Sequence, residues 1–450
     1  MIKINPREIA AEALTEIVKE QAYNNVILKK ILKRNGAMSI QDKAFVTEIV
    51  NGTLRNLYYI DFMLNKLSSV KTEKMKPWII SVLRISVYQI EFMDKVPNSA
   101  VCNEAVNLVK GKNFGKLSGF VNAVLRAVIR SKEKIEFPNE EKEPIQYLSV
   151  FYSYPEWLLK MWLHEYPYEF VKSLCQKNNT SPDVTIVNNS LKIVKENLKK
   201  ELELSNIIVK EGLYCDEAFH LSKTADISSI EQFQKGYFHI QDESSMLDVY
   251  ILDPKPNEFI LDMCAAPGGK SFFMAEKMQN KGNIISRDIY EHKLEMIKET
   301  AQRLGITIIE TQQKDASKFY EEDVEQFDKV LVDAPCSGLG LIRKKPDIKL
   351  KKNGNDIDSL CQLQKEILNQ AAYYVKKGGI LVYSTCTICK KENNKNIEWF
   401  LDTHKNFKLE NAFDFLPDNL KNNEKEKMVQ LFPHIHNVDG FFIARMKRED

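Results

Sequence analysis

Uninterrupted apolar runs are scarce in this 450-residue chain. The longest, Trp78 to Met93, is broken by Arg84, Gln89 and Glu91, so it reads as a buried helix and not as a membrane span. The opening, MIKINPREIAAEALTEI, carries Glu8 and Glu12 and lacks the apolar core of a secretory signal, which leaves a cytoplasmic protein without a membrane partner as the expectation. Regular cysteine spacing is also missing: eight cysteines scattered over this length argue against a disulfide framework and leave reduced thiols. An excess of one charge is absent too, since 64 Lys+Arg against 62 Asp+Glu leave a net +2, which by itself points to no nucleic-acid partner.

The charge is nevertheless unevenly placed. Residues 1–130 hold 20 Lys+Arg and 11 Asp+Glu, a net +9, and the remainder is therefore at −7. With 44% hydrophobic and 28% charged residues, the chain can build two or three domains, each with its own core. The first 130 residues read as helices: Asn5-Pro6 is a helix start, Ser39 can cap the next long helix, and Ile49, Leu54 and Leu57 recur at helical spacing. Ser131 to Pro144, SKEKIEFPNEEKEP, is too charged and proline-rich to support a packed core and reads as a linker. A mixed region follows, with an amphipathic segment around Trp157 and Trp162 and a strand-like VTIVN at Val184 to Asn188. The expected domains are an all-α domain at 1–136, a small α+β domain at 145–236 and a catalytic domain at 237–450.

From Glu258 short apolar strands alternate with helices: EFILDM, NIISRD, ITIIE, DKVLVDAP and GILVYST, with Leu294, Ile297, Ala301 and Leu304 on one helical face between them. This rhythm predicts an α/β fold with a doubly wound, Rossmann-like parallel sheet whose ligand sits at the carboxyl ends of the strands. There LDMCAAPGGK, Leu261 to Lys270, runs from a strand through a small-residue turn into a helix. Its residues Cys264, Ala265, Ala266, Pro267, Gly268 and Gly269 allow close backbone approach, and the helix N-terminus offers unpaired N–H groups. It is not the GxGxxG of dinucleotide binders. Asp288, 20 residues after Gly268, ends the second strand, where an acid can hold both ribose hydroxyls of a nucleoside cofactor. Asp315 follows the third strand and serves either as a ligand or as a helix cap.

VDAPCSGLG places Asp333 and Cys336 at the tip of the fourth strand, and YSTCTICKKEN places Cys386 just past the fifth. Two cysteines at adjacent strand tips suit covalent catalysis, although spacing does not choose the nucleophile between them. Other readings stand beside this one. A cysteine at a strand end can be a small buried hydrophobe. Cys386-x-x-Cys389 has the spacing of a redox or zinc pair, but no second pair completes a metal site, so no metal is expected. The basic run Arg343 to Lys352 is either a solvated loop or an electrostatic grip on RNA.

CAAPGGK, DAPCSG with RKKPDIK after it, STC followed by EN, HIQDESS at His239 to Ser245 and DGFFIARM at Asp439 to Met446 together resemble the bacterial RNA cytosine-C5 methyltransferases. PREIAAEALTEI, DKAFVTEIVNGTLR, LRISVYQIEFMDKVP and GFVNAVLR resemble the helices of NusB, and that fusion resembles the small-subunit rRNA enzymes of the RsmB/Sun type. The resemblance implies S-adenosylmethionine as cofactor, held by Cys264 to Lys270, Asp288, Asp315 and Asp333, with Cys386 as nucleophile and Cys336 assisting product release. It implies 16S rRNA or a small-subunit assembly intermediate as partner, and a monomer is expected.

A thiol is needed because C5 of cytosine is too weak a nucleophile to take a methyl group directly, and addition of a thiolate at C6 makes C5 enamine-like. Asp333, protonated or hydrogen-bonded, would stabilise the charge at N3, and Lys270 belongs with it among the catalytic residues. The alternatives are a tRNA cytosine-C5 methyltransferase, since the catalytic motifs are shared, and a non-catalytic rRNA assembly or antitermination factor. Two departures from the family pattern stand out: Ile186 occupies a position where an arginine is usual, and Cys389 and Lys390 replace the usual residues after the nucleophile.

Overall fold

Helical periodicity in the first third of the chain is realised in the computed structural model, which describes residues 5–20, 22–131, 134–222, 227–421 and 426–449. The first four residues of the opening stretch therefore lie outside the described residues. In order come α1 (Pro6–Glu20), α2 (Asn24–Arg34), α3 (Ile40–Arg55), α4 (Leu57–Leu67), α5 (Pro77–Phe92), α6 (Asn98–Gly111) and α7 (Ser118–Ser131). Asn5 Oδ1 accepts the Arg7 N–H at 3.0 Å at the start of α1, and Ser39 Oγ accepts the Asp42 N–H at 3.1 Å at the start of α3. The polar interruptions of α5 are paired: Arg84 forks onto Asp61 at 2.8 and 2.6 Å, and Gln89 accepts from Arg7 Nε at 2.7 Å. Among the described residues no helix is long and apolar enough to cross a membrane.

The chain divides into two compact units. The first, Met1–Ser181 with Ile342–Lys351, also contains α8 (Pro144–Phe151), α9 (Glu156–Glu165) and α10 (Tyr168–Asn178). The polar stretch Ser131 to Pro144, of which residues 132 and 133 are not described, does pack in part. Phe137 stacks on Tyr59 and Phe62 with ring centroids 5.4 Å away in each case. Two apolar residues, Ile135 and Phe137, are enough to seat it on the helical core, which average composition conceals.

Part of the basic run after Cys336 is not solvated but anchored on the helical unit. Asp347, Ile348 and Lys349 are buried, and the short helix Ile348–Lys351 lies on the helical unit. Asp347 accepts the Asn24 N–H at 3.0 Å, Lys349 Nζ donates to the Arg55 carbonyl at 2.8 Å and stands 4.3 Å over the Tyr154 ring, and Lys351 donates to the Ala22 carbonyl. Burial pushes the Lys349 ammonium down to about 7, with Arg55 adding to the shift and Cys175 opposing it.

The second unit, Pro182–Leu341 with Lys352–Asp450, contains two sheets. The smaller has β1 (Val184–Asn188), β2 (Ile208–Glu211), β3 (Ala218–Ser222) and β4 (Phe238–Ile240), antiparallel throughout in the order β2-β3-β1-β4. Ile186, Phe219 and Phe238 pack with Leu198 and Leu202 of the helix Lys195–Leu204. Ile186 is fully buried, so its position serves packing and offers no surface to RNA.

Within the HIQDESS motif, Glu243 is a structural staple. Its buried carboxylate accepts the N–H groups of Leu213, Tyr214 and Cys215 at 2.9, 2.7 and 2.9 Å and contacts His220 Nε2 at 2.7 Å. Burial opposes the charge, but His220 and the backbone donors outweigh it and hold the carboxyl below its ordinary range. The stabilisation is therefore complete above the unfolded-state value of about 4.3 and disappears as the pH falls through the lower folded value. Glu243→Gln is expected to cost roughly 2 kcal/mol at neutral pH and progressively less in acid, which thermal unfolding of both proteins at the two pH values will measure.

The larger sheet holds β5 (Phe259–Asp262), β6 (Asn283–Asp288), β7 (Ile309–Gln313), β8 (Phe327–Asp333), β9 (Val375–Thr385), β10 (Phe407–Leu409), β11 (Val429–Leu431) and β12 (Phe441–Arg448). Its order is β10-β12-β9-β8-β5-β6-β7, with β11 also on β12. The five strands β9, β8, β5, β6 and β7 are parallel, as the alternation of strands and helices requires. The DGFFIARM segment supplies β12, which runs antiparallel to β9 and covers what would otherwise be an open edge.

Candidate active site

The carboxyl ends of the parallel strands hold every sequence-expected residue. After β5 the chain turns through Cys264 to Gly268, and the Ala265 N–H bonds to the Arg287 carbonyl at 2.8 Å, tying this turn to β6. Gly268 has φ of +102°, and a Cβ there would lie 2.5 Å from the Phe272 ring and 3.1 Å from Ile297. Only glycine fits both the backbone and the space. Gly269 then opens the helix Gly269–Lys277, whose first N–H groups have no partner within the helix.

A cleft of about 510 Å³ lies over these ends, and Cys264, Ala266, Asp288, Asp315, Asp333, Cys336 and Cys386 all line it. Ala265, Pro267, Gly268, Gly269 and Lys270, also expected to hold the cofactor, are not among the residues that line it; they belong to the turn and helix start that follow β5. Asp288 accepts the Tyr290 N–H at 3.0 Å and faces Lys293 at 3.4 Å. Ile289 and Tyr290 next to it are 50% and 54% exposed on the cleft, apolar groups that the sequence reading passed over. Asp315 serves its own turn with one oxygen: the Ser317 hydroxyl and N–H donate to it at 2.7 and 2.9 Å, holding its carboxyl below the usual range.

Asp333, at the end of β8, pairs with Lys270 Nζ at 2.5 Å. Lys270 is buried, lies 3.7 Å from Asp248 and stands 5.1 Å over the Phe441 ring. Burial opposes its charge, but Asp333 and Asp248 outweigh that and raise its pKa. Asp248, from the helix Glu243–Leu252, was not singled out in the sequence: it precedes the sheet and belongs to no motif.

The two thiols meet. Cys336 Sγ and Cys386 Sγ are 3.2 Å apart, and the hydrogen bond with Cys386, followed by burial, drives the Cys336 pKa upward. The Glu392-Asn393 dipeptide, known from sequence only as a motif, clamps both loops. Glu392 accepts the Ser337 N–H at 2.8 Å and the Ser337 hydroxyl at 2.5 Å, next to Cys336. Asn393 accepts from Thr385 Oγ1 at 2.6 Å and donates to the Thr387 carbonyl at 3.1 Å, on either side of Cys386. Cys389 is 1% exposed and does not line the cleft. All eight cysteines are unbridged, and among the described residues no group of His, Cys, Asp and Glu is placed to hold a metal.

Comparison with known proteins adds a family to this geometry. Residues 249–447 match the family described as 16S rRNA methyltransferase RsmB/F, residues 4–130 the NusB family, and residues 154–228 the ferredoxin-like domain of RsmF/B-like methyltransferases. A Bacillus subtilis protein named probable ribosomal RNA small subunit methyltransferase B is 41% identical over 100% of both chains. A Synechocystis protein of the same name is 33% identical over 99% of this chain and 100% of its own. The solved structure of PH0851 covers 99% of this chain and 100% of its own at 28% identity with a TM-score of 0.83. With full-length similarity of this degree, the chain belongs to the RsmB/F family of 16S rRNA methyltransferases.

Proposed function

We propose that this enzyme methylates C5 of one cytosine in 16S rRNA, with Cys386 as nucleophile and Cys336 assisting release of the product. The observation that carries this reading is the 3.2 Å approach of two thiols inside a cleft that also presents the Asp333–Lys270 pair. S-adenosylmethionine, the cofactor of this family, fits the residues present. Asp288 offers a carboxylate for the ribose, and Ile289 and Tyr290 offer apolar surface for the base, all three on the cleft. Bound there, it supplies an electrophilic methyl group on a sulfonium.

The protein's own groups do the rest. The Cys386 thiolate adds to C6 of a cytosine extruded from its stack, and Asp333, oriented by Lys270, meets the charge that develops at N3. Cys336, its pKa driven up by its hydrogen bond with Cys386 and by burial, sits where it can assist loss of the C5 proton and elimination of Cys386. The net +9 of residues 1–130 supports phosphate contacts by the helical domain, with affinity that declines as salt rises. Incubating the enzyme with labelled S-adenosylmethionine and either unmodified 16S rRNA or bulk tRNA tests the reading. Label in rRNA alone, recovered as 5-methylcytosine, is expected. Label in tRNA alone overturns the substrate, and label in neither overturns the reaction.

A further inference from the structure

Three carboxylates, those of Asp248, Asp262 and Asp333, act on the Lys270 ammonium. Asp248 and Asp262 are both almost fully buried. An uncompensated charge in such surroundings is costly, so one of the buried acids retains a proton at neutral pH. The charged or titratable groups around Asp248 are Lys270 from the helix Gly269–Lys277, Asp262 from β5 and Asp333 from β8. Burial, the largest influence, and the two carboxylates lift it to about 7 against the pull of Lys270 and Ser384.

Hydrogen bonding distinguishes the two buried acids. Asp262 accepts from Ser271 Oγ at 2.7 Å, and that hydroxyl accepts in turn from Ser286 at 2.8 Å, so the chain does not lead to Asp333. Ser384 Oγ instead lies 2.6 Å from Asp248 Oδ2 and 3.3 Å from Asp333 Oδ1, within hydrogen-bond reach of both. Oδ1 of each of the two acids has no hydrogen-bond partner, so the difference lies in where Oδ2 leads. Ser384 is thus a hydroxyl bridge between a buried acid and the acid that lines the cleft.

We propose that Asp248 is the proton store for the reaction, exchanging a proton with cytosine N3 through the Ser384 hydroxyl and Asp333. This rests on the reading of Cys386 as nucleophile. When the thiolate bonds to C6, the electrons of C5=C6 move into the C4–C5 bond and those of C4=N3 move onto N3. The Asp248 carboxyl gives its proton to Ser384 Oγ as the Ser384 hydroxyl proton passes to the Asp333 carboxylate and on to N3, so one proton has moved from Asp248 to N3, Asp333 is again a carboxylate paired with Lys270, and Asp248 is left as a carboxylate 3.7 Å from Lys270. On elimination of Cys386 the proton returns by the same route, so the store is refilled in each turnover. Asp248 and Ser384 act through Asp333 and are positioning residues by this account.

The pH dependence of kcat tests it. Wild type should lose activity on the alkaline side as Asp248 ionises. Asp248→Asn, nearly isosteric, should lower kcat by roughly 100-fold, change the KM for either substrate by less than about twofold, and abolish that alkaline limb. Ser384→Ala should reproduce the loss with Asp248 intact, and Ser384→Thr, which keeps the hydroxyl, should restore most of the rate. The proposal is overturned if Asp248→Asn keeps both kcat and the limb, or if Ser384→Ala is fully active, in an enzyme that Cys386→Ala inactivates. A fully active Cys386→Ala enzyme would instead remove the parent reading.

Discussion

Cys386→Ala transfers no measurable methyl to RNA, and Cys336→Ala accumulates protein joined covalently to RNA: these are the expected results of exchanging each thiol in turn. The first follows because C5 of cytosine lacks the nucleophilicity to react unaided, so losing the group that adds at C6 should cost about 10⁴-fold or more. The second follows from a division of labour at 3.2 Å. Without Cys336 the addition still occurs, but proton loss and elimination slow, and the adduct persists long enough to be seen as RNA retained by denatured protein. Both thiols are only partly buried, so neither alanine should disturb folding. Spacing alone left the roles of the two cysteines interchangeable and the family resemblance assigned them; the opposite pair of results would assign them the other way round.

Lys270→Met should be the most damaging change outside the thiols. It removes the cation that pairs with Asp333 at 2.5 Å and lies 3.7 Å from Asp248, while its apolar stem still fills the space under Phe441. Breaking a buried ion pair on one side costs about 3–5 kcal/mol. The deficit should grow with pH: without Lys270 the acids hold their protons more tightly when folded than when unfolded, and stability is lost as rising pH strips them. Thermal unfolding at mildly acidic and mildly alkaline pH should show the gap between variant and wild type widening. A constant gap would mean that Lys270 acts by packing alone. Methyl transfer should fall by at least about 100-fold even at a pH where the variant is folded, because Asp333 loses its orientation.

The catalytic half of the molecule was legible because its physics is local and periodic. Short apolar strands separated by amphipathic helices fix a parallel sheet, so Asp288, Asp333, Cys336 and Cys386 could be placed at strand tips from spacing. What escaped depends on distant chain segments meeting. Asp248 lies in a helix ahead of the sheet, and nothing in DESSMLDVYIL shows that it will stand 3.7 Å from Lys270. Glu392 and Asn393 were visible as letters, but their purpose needs the loops they clamp, 55 residues away in the case of Ser337. Phe137 was hidden by the polarity of its neighbours. The basic run from Arg343 onward misled for a related reason: charge count does not reveal that Lys349 and Lys351 spend their donors on main-chain carbonyls.

That run also limits how the gene for such a protein can be cut and rejoined. Residues 342–351 leave the catalytic unit immediately after the Cys336 loop and rest on the helices encoded at the other end of the chain. A catalytic fragment made by deleting the helical segment would keep this strap but lose its bed, uncovering Ile348 and Leu350 and orphaning Asp347 and Lys349. Such a fragment should aggregate for reasons unrelated to RNA binding, so the contribution of the helices to substrate affinity is better probed by reversing surface charges. The helical segment is therefore not an exchangeable cassette: a lineage that discarded it would have to rewrite ten residues in the middle of its catalytic region at the same time.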